Sequence, residues 1–254
     1  MKSARHAESH PVLRQTVRLG LLLLLCTLAL QVMFLLRVAL MTGVDPQSST
    51  FQRSEAWRLL SEQQRILWSQ QWVDGDALSM HLKRAVIASE DAGFVEHSGV
   101  EWDAIEHAWE KNQRIQARAE KAGTPRHGAR PPKVVGGSTI TQQLAKNLLL
   151  SGERTVVRKG QELVLTAMLE AMLSKQRILE IYLNNVEWGE GIFGAQAAAR
   201  YYFRVDAARL SPQQAARLAV MLPAPKRFEK NPASPYVLGR AATIVARMGD
   251  VVLP

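Results

Sequence analysis

The sequence predicts a mostly α-helical domain held behind one N-terminal transmembrane helix. Leu19 to Leu36 run for eighteen residues without a charge. From Ile140 onward apolar residues recur at three- and four-residue spacing, as on one face of a helix. Aromatic residues make up only 6% of the chain and no run of segments alternates as strands do, which leans away from an all-β sandwich.

A chain of 254 residues has room for one medium-sized domain plus an anchor. Hydrophobic content of 47% with 22% charged residues is ordinary for a folded protein. Cys26 is the single cysteine and lies in the apolar run, so an intramolecular disulfide, a cysteine metal site and a thiol nucleophile are all set aside. The net charge is +9, and residues 1–42 hold five Lys/Arg against one acid. The remainder keeps 27 basic and 22 acidic residues, a moderate excess that fits a polyanion, a phosphorylated substrate or an anionic membrane surface alike.

In chain order, residues 1–18 read as a cytoplasmic tail, 19–41 as a signal anchor, 42–77 as a membrane-proximal segment and 78–250 as the main domain. The eighteen-residue run spans roughly 27 Å as a helix, close to a bilayer's hydrocarbon thickness. Arg37 near its end can snorkel to the interface. Four Lys/Arg precede the span and Arg37 alone follows closely, which keeps the N-terminus cytoplasmic. A cleaved signal peptide competes with this reading, but its weak site at Thr27-Leu28-Ala29 lies mid-run. Val44 to Thr50 is a turn-rich link, and Phe51 to Trp72 carries apolar residues at helical spacing. Leu78 to Ser89 reads as a helix leading into Glu90-Asp91, and Trp102 to Lys121 as another that dissolves into the basic, Gly/Pro-rich loop Ala122 to Val135. Further helical patterns cover Thr139–Leu149, Val156–Leu173, Lys175–Tyr182, Ala195–Tyr202 and Pro212–Leu222, the last opened by Ser211-Pro212 as cap and first turn.

Five clusters hold residues able to do chemistry. Glu90-Asp91 followed by Phe94, His97 and Gly99 forms an acid/base corner at a helix end, although adjacent acids there are usually just solvated. Gly136-Gly137-Ser138-Thr139-Ile140-Thr141-Gln142-Gln143, with Lys146 and Asn147 after it, is dense in hydrogen-bonding groups. Gln142, Gln143 and Lys146 share a helix face suited to sugar hydroxyls and phosphate oxygens. On composition alone it is equally a capped, solvent-facing helix start. Arg158-Lys159-Gly160-Gln161-Glu162 is either a surface ion-pair set of little energetic weight or a pyrophosphate clamp beside a second carboxylate. Lys175 to Asn184 looks like core packing through Ile178, Leu179, Tyr182 and Leu183. The run from Gly191 to Phe203 has the small residues that allow close helix approach.

Together and in this order, the clusters resemble the glycosyltransferase domain of class A penicillin-binding proteins and monofunctional peptidoglycan transglycosylases, glycosyltransferase family 51. The matching patterns are E-D-x-x-F-x-x-H-x-G at Glu90, G-G-S-T-I-T-Q-Q at Gly136, R-K-x-x-E at Arg158, K-x-x-I-L-E-x-Y-L-N at Lys175 and G-x-x-G…A-A…Y-F at Gly191. They cover roughly Leu78 to Met248. The resemblance implies a lysozyme-like, two-lobed, all-α fold whose smaller lobe dips into the membrane. It implies an inverting transfer of the growing strand, carried on undecaprenyl pyrophosphate, to the 4-hydroxyl of lipid II.

In that scheme Glu90 is the general base, Asp91 orients it or a neighbouring cation, and Glu162 is the second carboxylate. Ser138, Thr141, Gln142, Gln143, Lys146, Asn147, Arg158, Lys159, Phe94 and His97 hold substrate. A divalent cation, Mg²⁺ or Mn²⁺, is expected, with Glu162 as its candidate ligand, and no organic cofactor. The implied partners are lipid II, the nascent glycan strand, the membrane and proteins of division or elongation, with no nucleic acid. The implied place is the bacterial inner membrane, single-pass, with the catalytic domain periplasmic. The Ala122–Val135 loop is longer and more basic than the family pattern, and Gln196 and Tyr201 stand where Glu and His are expected. Neither S-x-x-K nor K-T-G occurs, which points to the monofunctional type. A lytic glycan hydrolase and an idle scaffold of the cell-wall machinery are the competing classes.

Overall fold

The computed structural model describes residues 10–121, 137–150, 152–153 and 155–254. The predicted loop Ala122–Val135 and Gly136 lie outside these residues. The chain opens with α1 (His10–Leu40), the one helix among the described residues long and apolar enough to cross a membrane. Its upper end is not free. Phe34, Val38 and Met41 are buried in the domain core.

Helix α2 (Thr50–Gln63) follows, started by a capping box in which Ser49 Oγ accepts from the Gln52 N–H and the Gln52 side chain accepts from the Ser49 N–H. The sequence pattern extends this helical face to Trp72, but the helix stops nine residues earlier, where Gln64 turns left-handed at φ 52°. The apolar residues beyond serve a different contact. Ser69 bridges in parallel to Ile192, its N–H donating to Gly191 O at 2.8 Å, and Trp68 packs on Phe193 at 5.2 Å between ring centres.

Helix α3 (Met80–Glu90) is capped by Ser79, and α4 (Trp102–Lys121) begins and ends where its sequence pattern does. Helices α5 (Ile140–Leu149), α6 (Val156–Met172) and α7 (Lys175–Asn185) each start on a Ser or Thr cap: Thr139, Thr155 and Ser174. A short antiparallel hairpin, β1 (Glu187–Gly189) with β2 (Ile192–Phe193), then leads into α8 (Gly194–Phe203). Helix α9 (Pro212–Met221) has Ser211 as cap and Pro212 in its first turn. The sequence pattern passed over the short α10 (Pro225–Phe228) and the longer α11 (Pro235–Arg247), although Ser234-Pro235 repeats the same start signal.

Two groups of helices share one continuous core. Helix α9 packs on α3 and α11, while α5 packs on α2, α6 and α7, and α1 docks on α6. Glu90 ends α3, so the seam between the groups is where the candidate site lies.

Candidate active site

The last residue of α3 and the first turn of α5 meet through Asp91. Its Oδ2 accepts from the Ile140 N–H at 2.9 Å, an anionic partner for an orphan donor at a helix N-terminus. Its Oδ1 lies 2.7 Å from His97 Nε2. The Gly99 N–H donates to His97 Nδ1 at 3.0 Å, so the ring proton sits on Nε2 and points at Asp91. Thr139 completes the joint by donating to Gly99 O at 2.6 Å while capping α5.

With α5 fixed against the end of α3, Gln143 reaches Glu90. Its Nε2 donates to Glu90 Oε2 at 3.1 Å, and Ser89 Oγ donates to Oε1 at 3.3 Å. Tyr182, fully buried on α7, donates its hydroxyl to Gln143 Oε1 at 2.9 Å, which dictates that the amide N–H face the carboxylate. Burial pushes the Glu90 pKa up; the bonds from Gln143 and Ser89 pull against it, and the Asp91 charge adds to the rise. Burial likewise holds the Tyr182 hydroxyl well above its ordinary value, so it remains a donor.

Beside this carboxylate opens a cavity of about 740 Å³. Ser138, Gln142, Gln143, Lys146 and Asn147 of the α5 segment line one wall. Arg158, Lys159 and Glu162 of α6 line another. Glu162 is buried, with Arg158 Nη1 on one oxygen at 2.8 Å and Lys159 Nζ on the other. Arg158 Nε and Gln142 Nε2 are buried without a hydrogen-bond partner among the described residues. Two orphan donors in a cavity wall are an arrangement for anionic or carbonyl oxygens brought by a ligand.

Eight of the sequence-predicted residues therefore share one cavity: Ser138, Gln142, Gln143, Lys146, Asn147, Arg158, Lys159 and Glu162. Glu90 is not in the lining and joins it through Gln143. Three predicted substrate residues do not face it. Phe94 is fully buried under the Lys175 ammonium, 4.6 Å from the ring centre. His97 is committed to Asp91 and Gly99 through both ring nitrogens. Thr141 is fully buried and donates to Glu170 Oε1 at 2.5 Å. Asp91, expected to orient Glu90 or a cation, instead spends its two oxygens on His97 and the α5 backbone. Missed by the sequence reading were Tyr182, whose hydroxyl must find a partner once buried, and Glu187, an acid set between Val186 and Trp188.

As a divalent-metal ligand Glu162 does not fit, since both its oxygens carry cationic partners. Asp91, His97 and Glu101 bring ligand atoms within 4.8 Å of one another. There, too, the histidine has no lone pair to give, because Nδ1 already accepts from Gly99.

A lysozyme-like helical domain with a buried carboxylate beside a cation-lined cavity is the class into which the chain falls. Residues 58–249 match the Transglycosylase family, and the chain belongs to it. It is 53% identical over 227 residues to the biosynthetic peptidoglycan transglycosylase of Burkholderia thailandensis, covering 89% of this chain and 83% of that protein. The protein of the same name from Paraburkholderia xenovorans is 45% identical over 254 residues, all of both chains.

Proposed function

We propose that the protein polymerises peptidoglycan glycan strands, transferring the growing strand from its polyprenyl pyrophosphate to the 4-hydroxyl of a lipid-linked disaccharide. The observation that carries this is the Gln143 bridge, which joins a carboxylate of raised pKa to a cavity whose other wall is Arg158 and Lys159. Glycosyl transfer needs those two environments side by side.

A sugar hydroxyl is a poor nucleophile until a base accepts its proton as the bond forms, and Glu90 takes that proton. The acceptor oxygen bonds to the donor's anomeric carbon as the bond from that carbon to the phosphate oxygen breaks. The pyrophosphate leaves with the bonding pair and without a proton. Its charge meets Lys146, Arg158 and Lys159, already oriented by Glu162 or by α5. Attack and departure on opposite faces of the sugar give inversion. Glu162 holds the clamp's cations in place, and a divalent cation, Mg²⁺ or Mn²⁺, would supply further positive charge for the departing pyrophosphate. Helix α1 anchors the chain, with the four Lys/Arg before its apolar run setting the N-terminus in the cytoplasm and the domain on the periplasmic face of the inner membrane.

Purified protein incubated with labelled lipid II and Mg²⁺ should give long strands, and the Glu90→Gln variant should give none while melting within a degree or two of the parent. Strand formation by that variant would remove Glu90 as the base. Fragments released from preformed wall, with no polymer from lipid II, would overturn the polymerase reading in favour of a hydrolase.

A further inference from the structure

Past α7 the chain turns into β1, and its first strand residue, Glu187, enters the lining of the same cavity. The residue is only 6% exposed, and its Oε1 is buried without a hydrogen-bond partner among the described residues. A cation stands close but is engaged elsewhere. Lys226 Nζ of α10 bonds Glu55, which also takes Arg58 at 2.7 Å, and stays 3.8 Å from Glu187 Oε1, beyond hydrogen-bond reach. Burial lifts the Glu187 pKa to about 7, with Lys226 and Arg58 pulling down and Glu55 and Glu229 pushing up. A buried carboxylate oxygen with one ion-pair partner at 3.8 Å but no hydrogen bond is incompletely satisfied, and such groups persist where a ligand completes them.

We propose that Glu187 is a substrate-binding residue of this cavity, its Oε1 accepting a hydrogen bond from an uncharged O–H or amide N–H of the bound amino sugar. An ammonium donor is disfavoured because Lys226 already stands 3.8 Å away. The cavity then has two unlike ends: a cationic one at Arg158 and Lys159 for the pyrophosphate, and an acceptor at Glu187 for the saccharide. Tyr182 and Glu187 sit at either end of one short stretch, so the close of α7 both orients Gln143 and delivers the sugar contact. This inference rests on the polymerase reading above and adds which part of the substrate lies where.

The test compares the parent with Glu187→Met and Glu187→Gln, each full-length in detergent, using two probes: lipid-linked disaccharide and a short polyprenyl pyrophosphate without sugar. Glu187→Met should weaken binding of the disaccharide probe about tenfold, the scale of one lost hydrogen bond to a charged group. KM should rise with kcat within twofold, and binding of the sugar-free probe should not change. Glu187→Gln, which keeps a neutral acceptor, should fall between. Equal affinity of parent and Glu187→Met for the disaccharide probe overturns the inference. So does a loss shared by both probes together with a lower melting temperature, the signature of a merely structural partner for Lys226. To separate an O–H from an N–H donor, a disaccharide probe with each acylamino group replaced by hydrogen is added; if the N–H is the donor, it binds parent and Glu187→Met alike. Parent protein that binds the sugar-free probe but neither binds nor polymerises lipid-linked disaccharide would instead refute the polymerase reading itself.

Discussion

Tyr182 donates to Gln143, and Gln143 donates to Glu90, so the orientation of one amide decides whether the carboxylate meets a donor or an acceptor. Phenylalanine at 182 keeps the packing but frees that amide to flip and leaves Gln143 Oε1 without its donor. We expect Tyr182→Phe to lower kcat several-fold to tenfold with KM unchanged, and to cost about 1 kcal/mol of stability. A rise in KM at constant kcat would assign the tyrosine to substrate binding instead. Glu187 gives a pH prediction of definite sign. Its folded-state pKa of about 7 stands above the ordinary 4.5, so between these values the native state holds a proton that the unfolded chain has released. Its contribution is therefore fully present below about pH 4.5 and lost as pH rises through about 7. The full shift amounts to about 3 kcal/mol, as an order of magnitude. Glu187→Gln cannot ionise, so its melting temperature should exceed the parent's by more at pH 8 than at pH 5. Parallel melting curves across that range would show that the carboxylate is not strained by burial.

At the scale of elements, the hairpin that carries Glu187 depends on glycines whose geometry no other residue meets. Gly191 has φ +72°, and a Cβ built on it would lie 2.4 Å from Leu67 O. Gly191→Ala should cost at least about 2 kcal/mol, from the left-handed conformation plus the clash, and should also loosen the Ser69–Ile192 bridge. A melting temperature within a degree of the parent's would mean that the turn relaxes without strain. From sequence those glycines read as small residues that allow close helix approach, because strands of three and two residues are too short to show alternation. The helices were easier. Thr139 with Gln142, and Ser211 with Gln214, spell capping boxes before apolar runs that recur every third or fourth residue, and both helices lie where that pattern puts them. The end of α2 was hidden because Trp68 and Trp72 keep helical spacing while packing on Phe193 and beneath Arg177. Much the same limit applies to the site. A motif names Phe94, Thr141 and His97 alongside Gln143 and Arg158, but which of them turn inward is settled by the Asp91 joint, a contact spanning forty-nine residues.

Across the whole molecule, α1 is more than a tether. Gln31, the one amide side chain in the apolar run, exchanges two hydrogen bonds with Gln161 at 2.8 and 3.0 Å, and Gln161 immediately precedes Glu162. Above that pair Phe34, Val38 and Met41 sink into the domain core, and Arg177 of α7 donates to Met41 O at 2.9 Å and pairs with Asp45 at 2.7 Å. The last third of the helix is therefore a structural part of the domain, and it braces the helix that carries the cationic clamp. Side chains buried this fully are worth about 1.5–3 kcal/mol each, and an interhelical amide pair adds about 0.6–2 kcal/mol. Two truncations separate anchoring from bracing. Removing residues 1–30 keeps Gln31, Phe34, Val38 and Met41, and should leave the melting temperature in detergent within a few degrees of the full chain. Removing residues 1–41 takes all four away and should lower it by ten degrees or more, with a matching loss of turnover on a short-chain lipid-linked disaccharide that needs no membrane. The magnitude follows from three buried side chains in a domain of this size, where each kcal/mol shifts the midpoint by about 2–4 °C. If both truncations melted and turned over alike, the contacts between α1 and α6 would be incidental to the fold, and the anchor would serve only to hold the enzyme at its lipid-borne substrate.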